Sequence, residues 1–321
     1  MKFARQHGTL FALLGTWILL VAILQFVSKG GFASLANFEL IARQSAIVGM
    51  AAVGMTLIVI SGAIDLSVGS VVAMVTVVAA KCIAGGIDPL LSAVIAVAAG
   101  CVIGLANGLL VTRLSVSPFI VTLGSLLIVR GAAKGLANEQ KIDAPLTWLT
   151  QLLAKLPSHQ KWMLLPIGVW MTVIVALLGG LLLRKTTFGR KIIAVGSNER
   201  ATFYAGIDPK TVRLWVFSAA GVCAGLAGLL QFSRLTVGDP TVAVGLELDV
   251  IAAVVIGGAS LSGGHGSITG SLIGAVMMAT IRAGCSQMGL ANWIQEIITG
   301  ALIMTAVALD RARSTKESKS S

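Results

Sequence analysis

Two carboxylates sit between apolar runs long enough to enter a bilayer. Asp65 lies in GAIDLSVGS (Gly62–Ser70), between the uncharged run Ser45–Ile64 and the apolar run Leu66–Ala80. Asp249 closes GLELD (Gly245–Asp249), directly ahead of a second apolar run that starts at Val250. An ionised carboxylate inside hydrocarbon costs about 2.5–3.5 kcal/mol on insertion scales, so it persists at a boundary, in a wet cavity or against a partner. The chemistry open to such a group is carriage of a proton or cation, hydrogen bonding to a passing solute, or capping of a helix end. Asp65 fits the last role as well as the others, as N-cap of the helix that follows it. Ser67, Asn107 and Ser262 supply neutral donors and acceptors nearby. Glycines and serines beside the acids loosen a helix, and broken helices in transporters line the solute path.

The elements that must position these groups are membrane spans. Hydrophobic residues make up 56% of the 321 residues, charged residues 12%, and the mean hydropathy is +0.93. A soluble domain has about 25% charged residues, which this chain cannot supply. Uncharged windows Gly8–Ser28, Ser45–Ile64, Pro89–Thr112, Trp162–Leu183 and Leu214–Ser233 meet the ~20 residues a span needs. Shorter candidates are Leu66–Ala80, Leu114–Val129, Val250–Gly264, Gly266–Ile281 and Ile297–Leu309. The expectation is an all-α integral membrane protein of about ten transmembrane helices, one polytopic domain over residues 1–321. MKFARQHG and the run behind it imitate a signal peptide, but no small-x-small site precedes Lys29, so the run reads as an uncleaved first span.

The formal charge of +11 does not indicate nucleic acid, because the basic residues cluster at the ends of apolar segments and in one central loop. Ten spans with a cytoplasmic start place 14 of the 24 Lys and Arg inside, seven of them between Arg184 and Arg213. Both termini are then cytoplasmic, and residues 310–321 form a basic tail expected to be disordered. Cys82, Cys101, Cys223 and Cys285 lack CxxC spacing, and His7, His159 and His265 form no ligand cluster. No metal and no cofactor is expected. Leu146, Leu149, Leu152, Leu153 and Leu156 recur at helical spacing in the outer loop Asn138–Lys161, which suggests a short helix lying in the interface.

Two halves flank the basic loop, about 8–137 and about 162–309. Each has a carboxylate opening an apolar helix and then a helix with glycines four apart: Gly100, Gly104 and Gly108 in the first, Gly266, Gly270 and Gly274 in the second. Glycines at that spacing share a face and let a neighbouring backbone approach. On the ten-span count the Asp65 helix runs outward and the Asp249 helix inward, the sign of an inverted repeat. The basic loop, 184–213, carries Asn198 as a plausible N-cap for a short helix over Glu199–Ala205.

GMTLIVISGAIDLSVGS (Gly54–Ser70), GLANGLLVTRLSVSPFIVTLG (Gly104–Gly124), FGRKIIAVGSNERATFYAGI (Phe188–Ile207) and LDVIAAVVIGGASLSGGHGSITG (Leu248–Gly270) together resemble the permease subunits of bacterial ribose/xylose-type ABC importers. The resemblance implies an inner-membrane subunit that pairs with a second permease, an identical copy or a paralogue. It also implies a periplasmic binding protein that delivers a monosaccharide, and a separate ATPase with two nucleotide-binding halves. It makes Gly189, Arg190, Gly196, Asn198, Glu199, Ala201, Gly206 and Ile207 the coupling segment on that ATPase, with Arg200 departing from the alanine usual there. It implies a substrate path through Asp65, Ser67, Asn107, Asp249 and Ser262, whose neutral members suit sugar hydroxyls. No GxxxxGK[ST] loop occurs, so the energy must come from a partner or an ion gradient. The alternative reading is an ion-coupled secondary transporter using Asp65 or Asp249 as carrier.

Overall fold

The computed structural model describes residues 2–28, 31–156 and 162–318; His159 falls outside the described residues. The chain forms α1 (Lys2–Val27), α2 (Leu35–Ile60), α3 (Val68–Ala84), α4 (Pro89–Leu114), α5 (Pro118–Leu136), α6 (Ile167–Lys185), α7 (Thr187–Ser197), α8 (Glu199–Tyr204), α9 (Pro209–Leu235), α10 (Leu246–Ile256), α11 (Ile268–Gln287) and α12 (Asn292–Ser318). A two-residue antiparallel bridge joins β1 (Ile142–Asp143) to β2 (Val237–Gly238). Seven of the helices, α1, α2, α4, α5, α6, α9 and α11, are long and apolar enough to cross a membrane. With the 17-residue α3, the 11-residue α10 and α12, helices stand at all ten expected places. At 1.5 Å per residue α10 spans roughly 16 Å, half a bilayer, so it is a broken element and not a crossing.

Local sequence sets several of the boundaries. Asp88–Pro89 and Asp208–Pro209 pair a capping carboxylate with a proline in the first turn, and each Asp accepts two backbone amides. Ser34 and Ser267 cap α2 and α11 through the Asn37 and Gly270 amides. α2 begins ten residues ahead of its uncharged window, because Glu39 and Arg43 stand on its first turns without ending it. α12 continues through the basic stretch to Ser318, where a disordered tail is expected; Arg, Ala, Lys and Glu are good helix formers.

The outer-loop leucines depart from the interfacial expectation. Among the described residues of the loop, Trp148–Gln151 form a short 3-10 helix, and Leu149, Leu152 and Leu153 are buried in the protein core. The Ser233 hydroxyl accepts the Leu153 amide and the Leu152 carbonyl accepts the Gly168 amide, which fastens the loop onto α9 and α6 instead of lipid.

The ends of the bundle are distinct. The Gly264 amide donates to the Ile60 carbonyl (2.9 Å), and a Cβ on Gly196 would fall on that same carbonyl. The α2–α3 break, the α10–α11 loop and the close of α7 therefore meet at one end, here the α7 end. α3 runs away from it. α10 runs towards it from the far end, where its first turn meets Arg282 near the close of α11. α9 is central and packs on α2, α3 and α4. Its crossing with α4 is close because Gly100 and Gly104 face Gly221 and Gly225; a Cβ at Gly104 would fall on the Phe217 carbonyl. The second stripe sits differently: Gly270 and Gly274 abut the backbone of α10 at Gly257 and Ala253, and Gly266 abuts Ile60 and Ala259. The packing is otherwise reciprocal. α3 and α4 lie against α9 as α10 and α11 lie against α2, and α5 lies on α3 as α12 lies on α10.

Candidate functional site

Asp65, Ser67 and Asn107 come together as one chain of hydrogen bonds. Asp65 Oδ1 accepts the Ser67 amide (2.7 Å) and hydroxyl (2.6 Å), and Asn107 Nδ2 donates to that hydroxyl oxygen (2.9 Å). A side chain that accepts the amide two residues on makes a turn of its own. Asp65 thus shapes the entry to α3 from two residues before its N-cap, and Ser67, at the cap, makes no capping bond itself. The Thr122 hydroxyl holds the adjacent Ile64 carbonyl from α5. All three residues of the chain are buried.

Asp249 has a different setting. It sits in the first turn of α10, pairs with Arg282 of α11, and lines a cavity of about 340 Å³ at the far end. α2 brings Gln44 to this cavity, α9 brings Gln231 and Arg234, and α12 brings Asn292 and Gln295. Asp249 is 2% exposed and its Oδ1 has no hydrogen-bond partner among the described residues, while its other oxygen holds Arg282. A carboxylate half-satisfied in this way can accept from a ligand hydroxyl. The guanidinium groups and amides around it offer donors in several directions.

Ser262 lies elsewhere. It shares a hydrogen bond with Ser260 (2.8 Å) in the glycine-rich loop between α10 and α11, at the α7 end. The loop packs backbone to backbone on α7: a Cβ at Gly263 would meet the Gly196 carbonyl, and one at Gly264 would meet Ser197.

The basic segment builds a surface at that end. Thr186 caps α7 through the Gly189 amide, and a Cβ at Gly189 would strike the carbonyls that close α6. Asn198 caps α8 through the Ala201 amide (2.9 Å). Arg213 at the base of α9 grips Glu199 with both guanidinium nitrogens (2.9 and 2.7 Å), a fork geometry that orients as well as attracts. Gly206 turns the chain at φ 81°, and the Ile207 amide returns to the Thr202 carbonyl. Phe203 and Tyr204 stand exposed on α8, and Arg190 faces solvent on α7. Asp208 caps α9, and the Thr211 hydroxyl, with the Lys210 and Thr211 amides and the nearby Lys210 charge, holds its carboxyl below the ordinary value of 3.8.

Sequence reasoning missed Gln44, Gln231, Arg234 and Arg282. Each reads as the polar end of an apolar run. One signal existed: Arg43, Arg234 and Arg282 all fall on the side that the positive-inside count leaves poor in basic residues.

A family model described as branched-chain amino acid transport system / permease component matches residues 37–307. The chain is similar to the ribose import permease of Bacillus subtilis (strain 168), 36% identical over 302 residues, covering 94% of this chain and 92% of the relative. It is likewise similar to the ribose import permease of Escherichia coli (strain K12), at 35% over 96% of this chain and 94% of the relative. The L-arabinose transport system permease of the same strain is 33% identical over 92% of this chain and 88% of its own length. No solved structure matches the chain. A model match across most of the chain, near-complete alignment to these permeases and an all-α multi-pass fold together place this chain in the family of ABC-importer permeases of the ribose and arabinose type.

Proposed function

We propose that this chain is the translocating subunit of an ATP-driven importer that carries a monosaccharide across the inner membrane by alternating access. The observation that carries the reading is the far-end cavity, where five helices converge hydrogen-bonding groups on a space of sugar size. A branched-chain amino acid, the solute named by the family model, would want an apolar pocket for its side chain. The amides and the Asp249–Arg282 pair suit hydroxyls better.

The α7 end is the proposed docking surface for an ATPase with two nucleotide-binding halves, which makes that end cytoplasmic along with both termini. The far end then faces the periplasm and a sugar-binding protein. α9 links the two ends as one 27-residue rod of roughly 40 Å: Arg213 at its base holds Glu199, and Gln231 and Arg234 near its top line the cavity. A pull on α8 is transmitted to the cavity through that rod. It is also transmitted through the Gly196–Ile60 contact to the α2–α3 break and the α10–α11 loop. The reciprocal packing of α2–α5 and α9–α12 supports two inverted halves with the path between them, and a second identical copy completes the pathway. The ion-coupled reading is disfavoured by the relatives and by Asp65, whose Oδ1 is taken up by Ser67.

The test is uptake into proteoliposomes holding the permease, its ATPase and its binding protein. Uptake should follow ATP and survive collapse of the ion gradients. Uptake that needs a gradient and ignores ATP would sink the proposal.

A further inference from the structure

We infer that the far-end cavity takes a monosaccharide bearing a single carboxylate, a sugar acid, and that Arg234 with Gln231 reads the acidic group. The inference rests on the cavity being the solute path and adds the class of solute. Asp249 is the only carboxylate among the described residues lining the cavity, and Arg282 already holds it. Two further acids stand near the cavity, and among the described residues neither forms an ion pair with Arg234. Glu247 lies within Coulombic range of Arg130, and Glu39 precedes Arg43 by one turn of α2. Arg234 is the cation left over. Among the described residues it has no hydrogen bond and no ion pair, and the neighbouring charges that act on it, Arg43 and Arg282, are both positive. Arg234 and Arg282 both line the cavity, Arg43 adds positive charge from α2, and an anion beside Arg234 relieves the repulsion.

Gln231 gives the independent sign of a ligand. It lines the cavity, is 7% exposed, and has no hydrogen-bond partner among the described residues. Its amide reaches the cavity space and is available to hydrogen-bond a ligand there. Gln231 and Arg234 are three apart on α9 and so share a face, amide beside guanidinium. A carboxylate can accept from both at once, two oxygens against the planar fork of Arg234 with Gln231 alongside. The Asp249 Oδ1 and the half-buried Gln44 remain for the hydroxyls. One unpaired cation matches a monoanion better than a phosphate ester, which carries a charge of about −1.5 to −2 at neutral pH.

The experiment uses the intact permease–ATPase complex in nanodiscs, without binding protein, and measures equilibrium binding of D-galacturonate and D-galactose. These differ only in a carboxylate against a CH₂OH at one carbon. Galacturonate should bind about tenfold or more tightly than galactose, the range a charge-assisted hydrogen bond supplies. Arg234→Gln should abolish the difference, and Arg234→Lys, which keeps the charge and loses the fork, should keep only part of it. Equal or tighter binding of galactose overturns the inference, as does a preference that Arg234→Gln leaves unchanged. Arg234→Gln that spares the preference but weakens capture of the binding protein makes Arg234 a docking residue and also overturns it. ATP-driven uptake of neutral sugar in the full importer, together with failure of the galacturonate preference, removes the sugar-acid class and leaves the permease reading standing. Absence of ATP-driven uptake of any sugar removes both.

Discussion

Asp65 and Asp249 open corresponding helices, α3 and α10, yet the protein has finished one site and left the other unfinished. Asp65 is held by a residue two positions away, in a turn that its own sequence writes, and Asn107 of α4 extends the network through Ser67. Asp249 finds its partner, Arg282, on α11 and keeps an oxygen without one. A closed local network fixes a chain path, and an open one across several helices leaves capacity for something that comes and goes. On the proposed reading, one carboxylate serves architecture and the other recognition.

The largest expected effect lies on the open side. Arg282→Ala strips the ion pair from a carboxylate that is 2% exposed. Removing one partner of a buried pair costs about 3–5 kcal/mol; with Arg282 itself half exposed, about 2–3 kcal/mol is the expectation. Folded yield in detergent should fall and uptake should drop more than tenfold. The double change with Asp249→Asn should restore yield and leave uptake low. Recovery of uptake in the double variant would show that the pair is architectural too, and the contrast between the halves would collapse.

The glycine crossings come next. Gly104→Ala drives a methyl onto the Phe217 carbonyl and the Gly221 backbone, where no flexible side chain can yield. Overpacking of that kind costs about 1–3 kcal/mol, read as a lower midpoint of thermal unfolding. Gly274→Ala should cost a similar amount while loosening α10, and with it Asp249, so it should lower uptake per folded molecule where Gly104→Ala does not. Equal losses of uptake from both would mean that the α4–α9 crossing moves in transport as well.

The closed side is expected to be forgiving. Asp65→Asn keeps the acceptor for the Ser67 amide and hydroxyl, so uptake per folded molecule should stay near that of the unaltered protein. Asp65→Ala leaves the Ser67 amide and hydroxyl short of their acceptor and should cost about 1–2 kcal/mol of stability. Uptake lost in Asp65→Asn at full folded yield would move Asp65 into the transport mechanism.

The contrast also explains what the amino-acid order could disclose. The helices were legible because a window of ~20 apolar residues has few alternatives, and Asp88–Pro89 and Asp208–Pro209 announce their helices locally. The Asp-x-Ser spacing at Asp65 is equally local, and so is the cap at Asn198. The cavity is not local. Gln44, Gln231, Asp249 and Arg282 come from α2, α9, α10 and α11, and nothing in one segment says which others it will face. The buried outer loop was hidden for the same reason: the leucine spacing identifies an apolar face, and only the tertiary packing on Ser233 and Gly168 decides that it meets protein.

The smallest effect belongs to the α7 end, away from the cavity. Asp208 caps α9, the rod that runs from that end to the cavity. Its removal in Asp208→Ala should cost about 1 kcal/mol, the usual size for a cap. Hydrogen bonds from Thr211 and Lys210 depress its folded pKa below 3.8, so the charged cap contributes fully above that value and fades as pH falls through the lower, folded one. The difference in thermal midpoint between the unaltered protein and Asp208→Ala should therefore hold steady at neutral pH and narrow only below about pH 4. The carboxylate is almost fully exposed, so salt should screen the Lys210 part of the effect while the cap itself persists. A difference that already narrows near pH 6 would mean that another group, not Asp208, sets the acid limit of α9.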